Sequence, residues 1–214
     1  MTMEHATSGR PAGGLRSLEV RWFVPGELDP AVAAWFGRFP AEMAVREDAY
    51  LVDPCLPGLS VKLRAGEAFE VKVRQDSPGS LDAAGRITGR MELFEKWSFP
   101  FGPSAQASSY PPGWLAVHKT RTITRFRVAG RRIGPAGPRY QGQPQCAVEL
   151  TGLRTRGEAW WTLGFEATGP ARWLRGVLED TAALVFARAL PGEVRLGPGN
   201  SRCYAEWLSL QPQC

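Results

Sequence analysis

Segment after segment of this chain alternates charged and apolar residues with period two, and most of the charged faces are rich in one sign. In Ser17-Leu18-Glu19-Val20-Arg21-Trp22, Glu19 and Arg21 fall on one face of an extended strand while Leu18, Val20 and Trp22 fall on the other. Lys62 and Arg64 alternate with Val61 and Leu63, and Glu70, Lys72 and Arg74 alternate with Val71 and Val73. Lys119, Arg121, Arg125 and Arg127 share a parity further on. In a single strand such alternation describes a sheet with one solvated face. Repeated across the strands of a closed sheet it describes a cationic inner wall, whose charges repel unless carboxylates or a bound anion compensate them. The expected fold is therefore mainly β, an antiparallel closed barrel or tunnel with a few flanking helices and an interior suited to an anion.

Segments 17–24, 46–52, 60–64, 69–74, 89–99, 114–128, 145–151, 159–168 and 201–210 read as strands, separated by Pro- and Gly-bearing turns. Two stretches change period. Residues 28–39 space their apolar side chains by three and four, with Asp29 placed to cap and Pro30 in the first turn, which predicts a short amphipathic helix. Over 171–190, Trp173, Leu174, Val177, Leu178, Leu184, Val185 and Phe186 form an apolar stripe, the mark of the longest helix, ended by Pro191 and Gly192. Residues 1–14 are polar and are expected to be a disordered leader, 130–143 a Gly/Pro/Arg loop, and 15–214 one domain.

The excess of 26 basic over 21 acidic residues, a net +5, favours anionic partners without naming one. Cys55, Cys146, Cys203 and Cys214 are widely spaced with no CxxC pair, which reads as the reduced thiols of a cytoplasmic protein. The most apolar stretch, 181–190, is interrupted by Arg188 and falls well short of the about 20 residues a membrane-spanning helix needs. His5 and His118 are the only histidines, too few for a His-rich metal site or a convincing Ser/His/Asp triad, and His118 reads as structural. The glycines of 134–142 and 197–199 lack the GxxxxGK[ST] spacing of a phosphate loop and read as turns. In Trp160-Trp161 a strand sends one indole to each face.

The charged strands resemble the CYTH superfamily of triphosphate tunnel enzymes, which includes thiamine triphosphatases, inorganic tripolyphosphatases and class IV adenylyl cyclases. The family's opening ExExK strand corresponds to Ser17-x-Glu19-x-Arg21, and its basic strand pair to Ser60-Val61-Lys62-Leu63-Arg64 with Val71-Lys72-Val73-Arg74. Lys119-x-Arg121 matches a later basic pair, Glu92 a mid-barrel acid and Glu149 a late one. Leu163-Gly164-Phe165-Glu166 matches a strand that normally carries two acids, and Ser201-Arg202-x-Tyr204-x-Glu206 resembles the closing strand. Ser17 and Gly164 stand where the family has carboxylates.

The resemblance implies a small polyanion as ligand: tripolyphosphate, a nucleoside triphosphate or another organic triphosphate. Arg21, Lys62, Arg64, Lys72, Arg74, Lys119, Arg121 and Arg202 would grip its phosphates, Glu19 and Glu166 would hold Mg²⁺ or Mn²⁺, and Glu92 or Glu149 would orient an attacking water. A divalent-metal-dependent phosphohydrolase is the activity so implied. The missing acids leave open a non-catalytic module that binds the phosphates without turnover. A basic β protein that binds RNA is a third class, which would instead need exposed aromatic residues beside the basic ones.

Overall fold

The computed structural model describes residues 14–100, 110–129, 132–135 and 143–211. The alternating segments pair as antiparallel neighbours. In chain order the elements are β1 (Leu15–Pro25), α1 (Pro30–Phe36), β2 (Glu42–Leu51), β3 (Leu59–Arg64), β4 (Ala68–Asp76), β5 (Ser80–Ala83), β6 (Ile87–Arg90), β7 (Glu92–Pro100), β8 (Trp114–Ala129), β9 (Arg132–Pro135), β10 (Gln145–Thr155), β11 (Glu158–Thr168), α2 (Ala171–Phe186) and α3 (Tyr204–Ser209). The sheet runs β10-β11-β1-β7-β4-β3-β2-β8, and β8 pairs with β10 to close an eight-stranded barrel. β9 extends the end of β8, and β5 with β6 makes a separate hairpin. The β10–β11 connection is a two-residue turn at Arg156 and Gly157, both at positive φ (52° and 79°), the conformation whose twist matches the flanking strands.

The main apolar core lies outside the barrel wall. Leu18, Val20 and Trp22 of β1, Val148 and Leu150 of β10, and Leu163 and Phe165 of β11 turn outward under α1 and α2. Asp29 caps α1 by accepting from the Ala31 amide at 2.7 Å, and Pro30 occupies its first turn. Val32, Trp35 and Phe36 then join the core. On α2 the buried stripe is Leu174, Val177, Leu178, Thr181, Ala182, Val185 and Phe186. Trp173 and Leu184, expected in that stripe, are 49% and 38% exposed, because at about 100° per residue they fall off the face that the 174/177/178/181/185 spacing defines. Trp161 enters the core and Trp160 packs on Trp207 from the other face, as their alternation requires.

Other expectations need correction. Residues 89–99 are two strands broken at Met91, the first hydrogen-bonded to β5 and the second to β1 and β4. The expected last strand, 201–210, makes one bridge, Trp22 to Ser201, and then turns into α3. Tyr204, Trp207 and Leu208 carry a helical three- and four-residue spacing, and that spacing outweighs the local alternation. The expected leader up to residue 13, the 130–143 loop for the most part, His5 and Cys214 lie outside the described residues. Cys55, Cys146 and Cys203 are free thiols, and no helix among the described residues is long and apolar enough to cross a membrane.

α3 stops one end of the barrel. Phe23, Tyr50, Val117 and Leu153 from the wall meet Trp207 and Leu208 in a second apolar cluster, with Tyr204 against it. Phe23 stacks on Trp207 with ring centroids 4.7 Å apart.

Candidate anion site

The remaining inward positions enclose a cavity of about 1150 Å³. Its wall takes Glu19 and Arg21 from β1, Lys62 and Arg64 from β3, Lys72 from β4, Glu92 from β7, Lys119 and Arg121 from β8, Glu149 from β10 and Glu166 from β11. The pairing registers keep these side chains on one face. Glu19 stands opposite Glu166 on one side and Glu92 on the other, and Arg21 stands opposite Gly164.

Two of the expected residues lie elsewhere. Arg74 is held outside the lining by Glu92 at 2.7 Å and Glu206 at 2.5 Å, in a cluster completed by Arg90. Arg202 donates to the Gly199 carbonyl and borders a separate cavity of about 270 Å³ beside Trp160 and Trp207. Its strand does not form, so nothing carries its guanidinium into the lumen.

The lumen also recruits residues that the motif comparison did not single out. Arg46 and Tyr50 of β2, Lys96 of β7 and Arg125 of β8 line it, and Tyr204, expected on a closing strand, reaches it from α3. Asp48, fully buried on β2, meets Arg46 at 3.0 Å, Lys62 at 3.2 Å and Lys119 at 3.0 Å. Arg46, Asp48 and Tyr50 share one parity, so the test that found Lys62 and Arg64 applied to the 46–52 strand would have found them. Lys119 also donates to the Tyr50 hydroxyl at 2.5 Å and sits 4.0 Å from the Tyr204 ring centroid. The Tyr204 hydroxyl is buried with no hydrogen-bond partner among the described residues.

Ion pairs organise the wall. Burial works to raise the Asp48 carboxyl, but Lys119, Lys62 and Arg46 together hold it well below the usual range. Burial also opposes ionisation of Glu70, which Lys62, Lys96 and Arg64 nonetheless bring down to about 2. Glu149 is pulled far below its ordinary value, against burial, by Arg21 at 3.2 Å and by Arg121, whose Nε donates at 3.1 Å. These acids are ionised, and their charge lets so many cations crowd one lumen.

The carboxylates do not fit a divalent metal as they stand. Glu19 meets Lys72 Nζ at 2.5 Å and accepts from Ser17 Oγ at 2.5 Å. Glu149 is shared by two guanidiniums, and so is Glu92. Glu166 makes no ion pair with a described residue, and one carboxylate falls short of the several oxygen ligands that Mg²⁺ or Mn²⁺ takes. At Gly164, where the resemblance expects a second acid, a Cβ would lie 2.5 Å from Arg21 Cζ, so the guanidinium fills the space that a side chain would need. Glu92, Cys203 and Glu206 bring ligand atoms within 4.8 Å of one another, but Arg74 and Arg90 already neutralise that group.

Barrel and lumen together define the class: a closed antiparallel β-barrel with its apolar core outside the wall and a cation-rich pocket within. No family model matches the sequence, and no curated protein matches it. Among solved structures, the S. pombe RNA triphosphatase Pct1 in complex with the Spt5 CTD aligns over 85% of this chain and 83% of that one, at 10% identity and a TM-score of 0.39. A likeness that distant carries nothing about ligand or activity, and the fold stands on this chain's own strand pairings.

Proposed function

We propose that the lumen is a receptor for a small phosphate-rich polyanion: tripolyphosphate, a nucleoside triphosphate or another organic triphosphate. One observation carries the reading. Ten basic side chains line the cavity against five acidic ones, or six with the buried Asp48 that three of them share, an excess that a multivalent anion would balance. Arg21, Arg64 and Arg121 offer forked donors suited to phosphate oxygens and Lys72 supplies compact charge, while burial lowers the pKa of Lys62 and, more strongly, of Lys119. Binding without turnover is the form the geometry supports best. A metal-dependent phosphohydrolase would need Glu19 and Glu166 on the ion and Glu92 or Glu149 on a water, and in this chain only Glu166 is not already matched to a cation.

Tripolyphosphate should raise the melting temperature well beyond chloride of equal ionic strength, since a ligand of the native state stabilises it by mass action. Arg121→Ala should cut the affinity by about 1.5–3 kcal/mol, the usual cost of a lost charge-assisted hydrogen bond. A shift no larger than the chloride control would overturn the proposal. Phosphate release from tripolyphosphate, nucleoside triphosphates and thiamine triphosphate should be absent with Mg²⁺ or Mn²⁺. Steady release that Glu166→Gln abolishes would restore the hydrolase.

A further inference from the structure

We infer that the Lys72 ammonium is a built-in replacement for a divalent cation, so that this lumen takes its polyanion without metal. The inference rests on the anion-binding reading above and concerns how that anion's charge is met.

Two local features converge on it. Glu19 and Glu166 face each other across β1 and β11 in exact register, which presents two carboxylates to one point in the wall. Lys72, reaching over from β4, places Nζ 2.5 Å from both Glu19 carboxylate oxygens. A permanently attached monocation therefore lies where those carboxylates would hold a mobile one.

The surroundings supply what a metal would otherwise have to coordinate. Ser17 Oγ donates to Glu19, and the Phe94 ring lies 4.8 Å below the ammonium, holding it against the wall. At Gly164 the Arg21 guanidinium occupies the volume of any second carboxylate on β11, and it reaches Glu149 and the Thr162 hydroxyl instead. The two departures from the family pattern thus become one arrangement. Ser17 satisfies the carboxylate that Lys72 neutralises, and Gly164 makes room for a cation rather than removing a ligand. A metal ion entering between Glu19 and Glu166 would have to displace Lys72 and leave its half-buried ammonium without its carboxylate partner, which disfavours the exchange.

Two measurements on the full chain test this. Tripolyphosphate affinity is first compared by calorimetry in EDTA and in millimolar Mg²⁺ or Mn²⁺. Equal affinity is expected, and binding at least about tenfold tighter with metal would overturn the inference. Binding under neither condition would overturn the anion-receptor reading itself, leaving Lys72 to be judged by the second measurement. There, Mn²⁺ binding is followed by electron paramagnetic resonance in the absence of phosphate, for the wild type and for Lys72→Met. The wild type should leave Mn²⁺ free, whereas the variant, with Glu19 released to join Glu166, should bind it at least about tenfold more tightly and lose that gain on adding Glu166→Gln. Equal Mn²⁺ binding by wild type and a folded Lys72→Met would refute the assignment of Lys72. If Lys72→Met does not fold, the calorimetric comparison decides alone.

Discussion

The two faces of β1 obey opposite rules. Outward, Leu18, Val20 and Trp22 are buried against α2 and its neighbours with no charge among them. Inward, Ser17, Glu19 and Arg21 are nearly as well shielded but are tied by hydrogen bonds and ion pairs to β4, β10 and β11. One backbone thus serves two ends. The outer face supplies the hydrophobic stabilisation that holds the barrel closed, and the inner face supplies a charged surface that contributes little net stability, because desolvation offsets most of the attraction. Polar residues can thus fill a barrel interior when the apolar core lies outside the wall.

The largest test of this division is on the outer face. Trp22→Ala should cost about 3–5 kcal/mol in a denaturant titration, since a fully buried indole packed on Phe165 and Phe186 leaves a cavity that helices cannot collapse into. Tripolyphosphate binding should survive wherever the variant remains folded. Asp48→Asn is the inner counterpart. It leaves Arg46, Lys62 and Lys119 facing one another without their shared carboxylate, and it should cost about 3 kcal/mol, the low end for a broken buried pair, because the cavity admits water. Added tripolyphosphate should recover much of that loss for Asp48→Asn and not for Trp22→Ala. Equal recovery in both would erase the distinction between the faces.

Acid should act on the inner face alone and more weakly. Glu70 titrates near 2 in the folded chain against an ordinary 4.5, so its contribution is fully present above pH 4.5 and is lost as pH falls from 4.5 through 2. Asp48 and Glu149, depressed in the same sense, add to that slope. Glu70→Gln should flatten the slope of stability against pH in that window. Smallest of all is the exposed pair of Arg154 and Glu27 at the barrel's outer end, where Arg154→Ala should change stability by no more than about 0.5 kcal/mol.

Most of the wall was legible because a strand leaves a periodic trace. Parity placed Glu19, Arg21, Lys62, Arg64, Lys72, Arg74, Lys119 and Arg121 on one surface, and all but Arg74 line the cavity. The same rule was available for Arg46, Asp48 and Tyr50, but no motif directed attention there. Tyr204 and the stopper it belongs to were hidden for a different reason. A six-residue helix offers fewer than two turns of periodicity, and the extended reading of 201–210 matched its alternation as well.

By itself, then, the alternation determined a β chain with one charged and one apolar face per strand, since a pleated backbone sends neighbouring side chains to opposite sides whatever the fold around them. In any one strand it could not decide which face was the inside. That followed from closure of β8 onto β10 and from α1 and α2 covering the apolar side. Nor could it decide what Ser17 and Gly164 meant. In the linear sequence they are missing acids, whereas in the barrel Ser17 donates to the Glu19 carboxylate that Lys72 neutralises from 55 positions along the chain, and Gly164 faces Arg21, 143 positions away, so only tertiary contact turns an absent ligand into room for a cation.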